Sequence, residues 1–308
     1  PGRQRGGAAM RRSASLTQLP APLYLATSMA LVGSYVGLSK ALVLVFPVFL
    51  LAGLRFAIAA LAMLHWTPKP ADEPPLDAAD RRALFLGSFL GNFLFSVCML
   101  YGVKATSALA AGVVMAGIPA TVALLSWIFL GERLTPRVLA AAACAALGIG
   151  LLALARPAGD QAQAAAPWWG YALLLGAVVC EAAYVVTGKR LSAKLGPRRI
   201  SALINLWGLV LVAPLALWQV PGFDWGALRF ADALLLVFYS LAASMVAVWL
   251  WMKGLEGMSA GRAGVFTVML PLASAAVGIL WLGESAGALH GVALALALLG
   301  VWLATRQP

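Results

Sequence analysis

The sequence predicts an all-helical integral membrane protein whose ten transmembrane helices form two inverted five-helix repeats. Three observations support this fold class: an apolar composition, ten apolar stretches that could each span a bilayer, and a long internal repeat. Of the 308 residues, 62% are apolar and 11% are charged, and the mean hydropathy is +0.91. A soluble domain carries roughly a quarter charged residues, so lipid is the expected solvent for most of this chain.

The apolar stretches favour helices over strands. A helix of about 20 apolar residues crosses a hydrocarbon core of about 30 Å, whereas a membrane β-barrel needs short strands of alternating polarity. Continuous apolar runs such as 138–155 do not alternate. The predicted membrane helices cover residues 22–44, 47–66, 82–103, 107–130, 137–155, 168–188, 199–219, 232–253, 259–282 and 287–304.

The distribution of basic residues predicts the orientation of the chain. With a cytoplasmic N-terminus, 17 Lys and Arg residues fall in cytoplasmic segments, and the outer side holds Lys40, Lys104, Arg156 and Arg229. Because basic residues concentrate in cytoplasmic loops of membrane proteins, both termini are predicted to be cytoplasmic. The same bias accounts for the net charge of +11, so nucleic acid is not an expected partner.

Composition divides the chain into four parts. Residues 1–20 are an N-terminal tail, in which residues 1–9 lack a starting Met and are predicted to be a non-native remnant. The first five-helix repeat covers residues 21–156 and the second covers residues 168–306. Between them, residues 157–167 form a small, polar linker flanked by prolines.

The internal repeat supports the division into halves. At an offset of 152 residues, sixteen of the 45 positions from 107 to 151 have an identical partner. The matches include Pro119 with Pro271 and Leu130-Gly131-Glu132 with Leu282-Gly283-Glu284, which alanine and leucine bias does not explain. Since each half holds an odd number of helices, the second half must enter the membrane from the opposite face, and this arrangement suits alternating access.

On these residues the chain resembles the drug/metabolite transporter superfamily in its EamA-like ten-helix branch. The duplicated prolines, the Leu-Gly-Glu helix exits and Leu54-Arg55-Phe56 carry the resemblance. Within that branch, the chain is similar to bacterial amino-acid and metabolite exporters of the YddG type. The resemblance implies a central cavity lined by helices 1, 3, 4, 6, 8 and 9 and no ATP-binding part.

Glu181 is the first candidate for the site. It lies near the middle of the sixth helix, where a carboxylate costs about 2.5–3.5 kcal/mol and must be protonated, paired or in contact with a wet cavity. The segment from Leu175 to Glu181 also resembles the first helix of small multidrug-resistance pumps, but the first repeat has Val32 at the matching position. Proton or cation coupling and a structural role therefore both remain open for Glu181.

Other polar residues inside apolar stretches complete the candidate site. Arg55 could bind a substrate carboxylate or, as the preferred alternative, staple helices through backbone carbonyls. Tyr35 and Tyr184 occupy matching places in the two halves, and on the family fold they would face each other across the cavity. Only one of Trp249 and Trp251 can face the interior. Further candidates for hydrogen bonds to substrate are Asn92, Ser96, Asn205 and Ser244.

Several residues are expected to shape the helices. Pro119 and Pro271 each remove a helix hydrogen bond, so they are candidates for gating points, with static kinks as the alternative. Glu132 and Glu284 fall at helix ends, where a solvated side chain or a salt bridge is preferred. The small-residue runs 140–146 and 291–297 are predicted to be close-packing faces. Trp168 and Trp169 are predicted to lie in an interfacial aromatic belt.

The predicted function is export of amino acids or similar small metabolites across the bacterial inner membrane by secondary transport. The alternatives are efflux of aromatic cations and a non-transporting membrane scaffold. An enzyme is not expected, because no catalytic set of residues can be assembled, and two histidines and three scattered cysteines favour neither a metal site nor a cofactor. Since the duplication replaces a dimer of five-helix units, a functional monomer in the bilayer is expected.

Overall fold

The computed structural model describes residues 21–71, 73–131, 135–154, 166–191, 194–256 and 264–305. Within these ranges the regular structure is helical and no β-strand is present. Seven helices have the length and apolar composition to cross a membrane, and three shorter apolar helices lie between them in the chain. In chain order the ten are α1 (Ala21–Val45), α2 (Val48–Ala62), α3 (Ala78–Ala105), α4 (Ala108–Phe129), α5 (Pro136–Leu152), α6 (Trp168–Thr187), α7 (Pro197–Gln219), α8 (Phe230–Trp251), α9 (Phe266–Trp281) and α10 (Ala288–Thr305).

Each of these ten helices coincides with one of the ten predicted apolar stretches, in the same order. Lipid offers no hydrogen-bond partners, so a chain of this composition must satisfy its backbone groups within helices. The all-helical membrane fold is therefore confirmed at the level of its elements.

Three of the helices contain a π-helical segment. The segments are Phe89–Leu94 in α3, Ala242–Val246 in α8 and Val277–Trp281 in α9. Those in α3 and α8 begin 153 residues apart, close to the repeat offset of the sequence. The two repeats therefore share a departure from the i to i−4 hydrogen-bond pattern at nearly the same position of the repeat, and such departures are a known cause of helix bending.

Pro119 and Pro271, the predicted gating points, both follow an interruption of α-helical structure. In α4 the α-helix stops at Met115, turns through Ala116 and Gly117, and restarts at Ile118, so Pro119 stands in the first turn of the restarted helix. In α9 a 3₁₀ segment, Gly264–Val268, precedes the α-helix that begins at Met269 and contains Pro271. Both prolines therefore stand in the first turn of an α-helix, where the N–H that proline lacks would have no partner within the helix.

Helices α5 and α10 pack against each other through their small residues. A Cβ atom placed on Gly148 would lie 3.2 Å from the carbonyl oxygen of Ala293, and one placed on Gly300 would lie 3.2 Å from that of Ala141. Both pairs are related by the offset of 152, and their order along the two helices makes the helices antiparallel. The contact is therefore reciprocal between the two repeats, and the small residues of both helices pack closely, as predicted.

The remaining interhelical contacts show the same reciprocity. Helix α1 packs against α8 and α9, while its repeat counterpart α6 packs against α3 and α4. Helices α2 and α7 pack against each other, as do α4 and α9. Exchanging the two halves therefore maps this set of helix pairs onto itself.

Glu284, which follows α9 in the second half, connects this half to the first half. Its carboxylate accepts hydrogen bonds from the backbone N–H groups of Ala108, at 2.6 Å, and Leu109, at 2.9 Å, at the start of α4. The expected solvated end or salt bridge is therefore wrong for Glu284, because a helix start offers orphan N–H donors and a positive dipole end. The matching Glu132 lies outside the described residues.

Gly283 explains why glycine precedes this glutamate. It has φ = 67°, in the left-handed region that glycine enters without a steric penalty, and Gly131 in the first repeat has φ = 68°. Both glycines end a membrane helix at the same step of the repeat. The Leu-Gly-Glu exits are thus helix terminators.

Glycine also permits the close contact between α1 and α9. A Cβ atom on Gly33 would collide with the carbonyl oxygen of Leu270 and lie 2.9 Å from the Cβ of Ala273. By contrast, no atom lies within 4 Å of the position for a Cβ atom on Gly150, which is exposed on α5.

Gly33→Ala is therefore expected to destabilise the protein by about 1–3 kcal/mol, because α1 and α9 must separate to admit the methyl group. The measurement is the unfolding temperature in detergent. Gly150→Ala is the matched control and should leave it unchanged or slightly higher, since alanine favours helix. An equal loss for both variants would contradict the described contact.

Candidate functional site

Five buried polar side chains meet near the middle of four membrane helices. We call this group the Arg55 cluster. Each member is at most 6% exposed, although it lies inside a stretch of apolar sequence. Its members come from α1, α2, α3 and α8 and are Tyr35, Ser39, Arg55, Ser96 and Tyr239.

Arg55 supplies the positive charge of the cluster. Its Nη2 donates a hydrogen bond of 2.9 Å to the hydroxyl of Ser96 on α3. Its guanidinium carbon lies 4.0 Å from the ring centroid of Phe56 and 5.4 Å from that of Tyr35. The expected staple through backbone carbonyls is not what the described contacts show, because the partner of Arg55 is a side-chain hydroxyl.

The two tyrosines of the cluster stack across α1 and α8. The ring centroids of Tyr35 and Tyr239 are 4.5 Å apart, and the ring planes differ by 23°. The hydroxyl of Ser39 donates to the backbone carbonyl of Tyr35 at 2.8 Å and lies 3.0 Å from the hydroxyl of Tyr239. Since a serine has one hydroxyl proton, Tyr239 is the donor in that second bond.

Two polar atoms of the cluster form no hydrogen bond of regular geometry with the described residues. They are the hydroxyl of Tyr35 and the Nε of Arg55. A buried polar atom left unpaired costs about 1–3 kcal/mol, and more beside a charge. The described residues also include no carboxylate that pairs with Arg55. The cluster therefore presents two free donors and an uncompensated positive charge, which suit an anionic group.

The structure places Glu181 and Tyr184 outside this cluster. Glu181 is partly buried on α6, and no hydrogen bond or ion pair of its side chain is found within the described ranges. The ring of Tyr184 packs against Gly87 and Gly91 of α3, where a Cβ atom on Gly91 would lie 2.6 Å from the ring. Tyr35 thus contacts Tyr239 and Arg55, whereas Tyr184 contacts α3, and their position on opposite sides of a cavity stays a prediction.

The other predicted residues divide between structural and peripheral positions. Asn92 donates from Nδ2 to the carbonyl of Ile204 at 2.9 Å, so it joins α3 to α7. Ser244 is 7% exposed in the π segment of α8. Trp249 is 39% exposed and contacts Tyr24 edge to face, with 6.3 Å between the ring centroids. Trp251 is partly buried.

Ser39 and Tyr239 belong to the cluster but not to the predicted site. A tyrosine in the middle of an apolar stretch, away from the interfacial belts, usually needs a hydrogen-bond partner, and Tyr239 is such a residue. That signal was available in the sequence. The identity of its partner, a serine 200 positions earlier, depends on tertiary structure.

Ion pairs join the two halves at the predicted cytoplasmic surface. Lys194, which precedes α7, lies 3.1 Å from Asp77 and 2.5 Å from Asp80 at the start of α3. Arg199 lies 3.0 Å from Glu73 and donates to the carbonyl of Thr67 at 2.9 Å. The loop between α2 and α3 is therefore attached to the second half, and we call these pairs the loop latch.

Local hydrogen bonds set the ionisation of the loop latch. The backbone N–H of Asp80 and then the ammonium of Lys194 hold the pKa of Asp77 below its usual value. The carboxylates of Asp80 and Asp77 raise the pKa of Lys194 in turn. Both shifts favour the charged forms at neutral pH.

A bundle of membrane helices in two similar halves, with an enclosed polar site at mid-span, is the architecture of a secondary membrane transporter. The family model described as the EamA-like transporter family matches residues 19–154 and, a second time, residues 168–306. The chain therefore belongs to the EamA-like transporter family, within the drug/metabolite transporter superfamily. It is a multi-pass membrane protein, as the family resemblance implied.

Similar proteins are also named as transporters. The chain is 32% identical to "Uncharacterized transporter YetK" of Bacillus subtilis strain 168, over 94% of this chain and 89% of that protein. It is 26% identical to a "Probable terminal-alkyne amino-acid exporter" of Streptantibioticus cattleyicolor, over 83% of this chain and 81% of that protein. A crystal structure with 20% identity covers 92% of this chain with a TM-score of 0.60 and shows the same fold.

The unpaired hydroxyl of Tyr35 leads to a test of stability. Tyr35→Phe is expected to leave the unfolding temperature unchanged or to raise it, because the lost hydroxyl has no partner to lose. Tyr239→Phe removes a buried hydrogen bond to Ser39 and should cost about 0.5–1.5 kcal/mol. Thermal unfolding in detergent without substrate measures both, and equal destabilisation would contradict the assignment of the unpaired atom.

The loop latch leads to a test of pH dependence. Lys194→Gln is expected to lower the unfolding temperature at pH 7, and Lys69→Gln, at an exposed position in the loop between α2 and α3, is the control. Because the pKa of Asp77 is lowered on folding, its contribution is present above its usual pKa of about 4 and is lost as the pH falls through the lowered value. The difference between wild type and Lys194→Gln should therefore shrink on acidification, and a difference independent of pH would exclude this ion pair as its cause.

Proposed function

We propose that this transporter exports amino acids or similar small carboxylated metabolites across the inner membrane by alternating access. The observation that carries the proposal is the Arg55 cluster, in which a buried guanidinium and a tyrosine hydroxyl lack partners within the described residues. Charged residues inside membrane helices are costly and mark functional sites by default. A substrate that supplies the missing negative charge would offset this cost.

A carboxylate fits the free donors of the cluster. Its two oxygens can accept from the Nε of Arg55 and from the hydroxyl of Tyr35, while Nη2 of Arg55 stays bonded to Ser96. Charge-assisted hydrogen bonds of this kind are about twice as strong as neutral ones. The stacked rings of Tyr35 and Tyr239 form an apolar wall beside this position. The name of the 26% identical relative, a probable amino-acid exporter, agrees with a substrate of this class.

The reciprocal packing of the halves supports alternating access. The contact that α5 makes with α10 is repeated by α10 with α5. Each of the other helix pairs corresponds to a pair in which the two repeats have changed places. Two inverted repeats can exchange conformations, which changes the side of the membrane that is open. We propose that Pro119 and Pro271, at matched interruptions in α4 and α9, are the bending points.

The orientation and the assembly are also part of the proposal. An excess of basic residues on one side places both termini in the cytoplasm. The packing of one half on the other within a single chain supports a functional monomer. The five-helix boundaries at residues 21–156 and 168–306 agree with the two matches of the family model.

Efflux of aromatic cations is the second candidate function. The partly buried Glu181, for which the described residues offer no ion-pair partner, favours it, since a membrane carboxylate can bind cations or protons. The positive charge of Arg55 beside Tyr35 opposes it, because this charge occupies the ring faces that a cation would use. Transport assays separate the two functions.

The test is uptake into proteoliposomes of labelled amino acids, of the amines that lack their carboxylate, and of organic cations, each with and without a pH gradient. We expect saturable uptake of amino acids and little uptake of the matching amines. Uptake of the cations alone would replace the amino-acid assignment with cation efflux. Uptake of no class would favour a non-transporting scaffold.

Point variants connect this transport to the cluster. Tyr35→Phe should lower kcat/KM for amino acids by about tenfold or more, the value of a hydrogen bond to a charged group, without loss of stability. Tyr24→Phe, on the same helix, is the matched control and should retain wild-type uptake. Loss of the pH response in Glu181→Gln with retained uptake would make Glu181 the coupling residue, and an unchanged response would make it structural.

A further inference from the structure

A groove opens at one end of the helix bundle, separate from the Arg55 cluster. Its volume is about 330 Å³. His65 and Trp66 follow the end of α2, Arg198 stands in the first turn of α7, and the remaining wall comes from the last third of α8. The lining residues are His65, Trp66, Arg198, Met245, Val246 and Trp249.

The groove lies at a membrane surface. The C-terminal ends of α2 and α8 and the N-terminal end of α7 meet there, which is the cytoplasmic surface in the predicted orientation. The two tryptophans hold positions typical of the membrane–water boundary, where an aromatic belt forms. A ligand of this groove can therefore reach water at one end and lipid at the other.

The charge of the groove is positive and lacks a counter-ion. Arg198 is exposed and lies over the ring of Trp66, with 5.8 Å between the guanidinium carbon and the ring centroid. No carboxylate pairs with Arg198 within the described ranges. Glu73, an acidic residue of the loop latch, pairs with the neighbouring Arg199 instead. The position is thus open to an anion.

The opposite wall of the groove is apolar and exposed. Val246 is 41% exposed and Trp249 is 39% exposed, and both lie on α8 at the edge of its π segment or just beyond it. Apolar side chains at this depth face the acyl region of a bilayer. The groove therefore combines a basic end with an apolar side, which matches a ligand with an anionic head and a hydrocarbon chain.

We propose that this groove binds an acidic phospholipid of the cytoplasmic leaflet. The phosphate lies against Arg198 and His65, and an acyl chain lies along Val246 and Trp249. Basic pockets between membrane helices at this surface are suited to anionic head groups, and free phosphate would lack the apolar contact. Since α2 belongs to the first repeat and α7 and α8 to the second, the bound lipid contacts both halves.

The experiment is native mass spectrometry of the full-length protein titrated with dioleoyl phosphatidylglycerol or with dioleoyl phosphatidylcholine, which has the same acyl chains. We expect preferential binding of phosphatidylglycerol. Arg198→Gln should weaken this binding about fivefold, the effect of one basic residue near an anionic lipid surface. Trp249→Leu should weaken the binding of the same lipid through its acyl contact.

Arg82→Gln is the matched control, because Arg82 is exposed at the same surface on α3. It should retain wild-type lipid binding, and equal weakening by Arg82→Gln and Arg198→Gln would overturn the proposal in favour of diffuse surface charge. Equal binding of both lipids would also overturn it. Glycerol phosphate added as a soluble competitor should not displace the lipid, and displacement would identify a free-anion site. Unfolding temperatures in detergent without lipid confirm that each variant is folded.

Discussion

The absence of hydrogen-bond partners in lipid is the constraint on which this structure depends. It forces the apolar stretches into helices, and it requires every irregular turn or helix end within the bundle to find a partner in protein. Glu284 shows the consequence, because its carboxylate satisfies two N–H groups at the start of a helix in the other half. Close packing has to replace the hydrophobic effect between helices, and glycines such as Gly33 and Gly148 make it possible.

The same constraint gives the Arg55 cluster its significance. In this cluster a guanidinium nitrogen and a tyrosine hydroxyl form no regular hydrogen bond with the described residues, although both are buried. The hydroxyl of Ser96 accepts a hydrogen bond from Arg55, and Tyr35 stacks on Tyr239. These contacts fix the positions of the free donors before any ligand binds. Preorganised donors that lack a partner are what a transport site needs in order to recognise a carboxylate and then release it.

Two kinds of contact join the two halves: close packing of small residues between the helices and ion pairs at one end of the bundle. Small residues join α5 to α10 through backbone contacts, and glycines do the same between α1 and α9. At the predicted cytoplasmic surface, water can compete with protein contacts, and there the halves are joined by the ion pairs of the loop latch. Arg198 has no such partner at that surface among the residues that the structure describes. The ion pair between Lys194 and Asp77 depends on pH, whereas the packing of small residues between the helices does not.

Much of the fold followed from local physical chemistry. Apolar length determined the positions of all ten helices, and the duplicated prolines and glycines marked the helix breaks and ends, because these residues act through their own backbone geometry. The site was predicted only in part: Arg55, Tyr35 and Ser96 were recognised as polar residues in apolar stretches, but Tyr184, Asn92 and Trp249 have other neighbours than expected. Side-chain partners depend on how helices rotate and pack, and periodicity is weak in helices that are apolar on every face. Thus the sequence by itself determined the membrane class, the helices and the repeat, whereas only the tertiary structure decided that Tyr239 stacks on Tyr35, that Glu284 caps α4 and that two donors remain free.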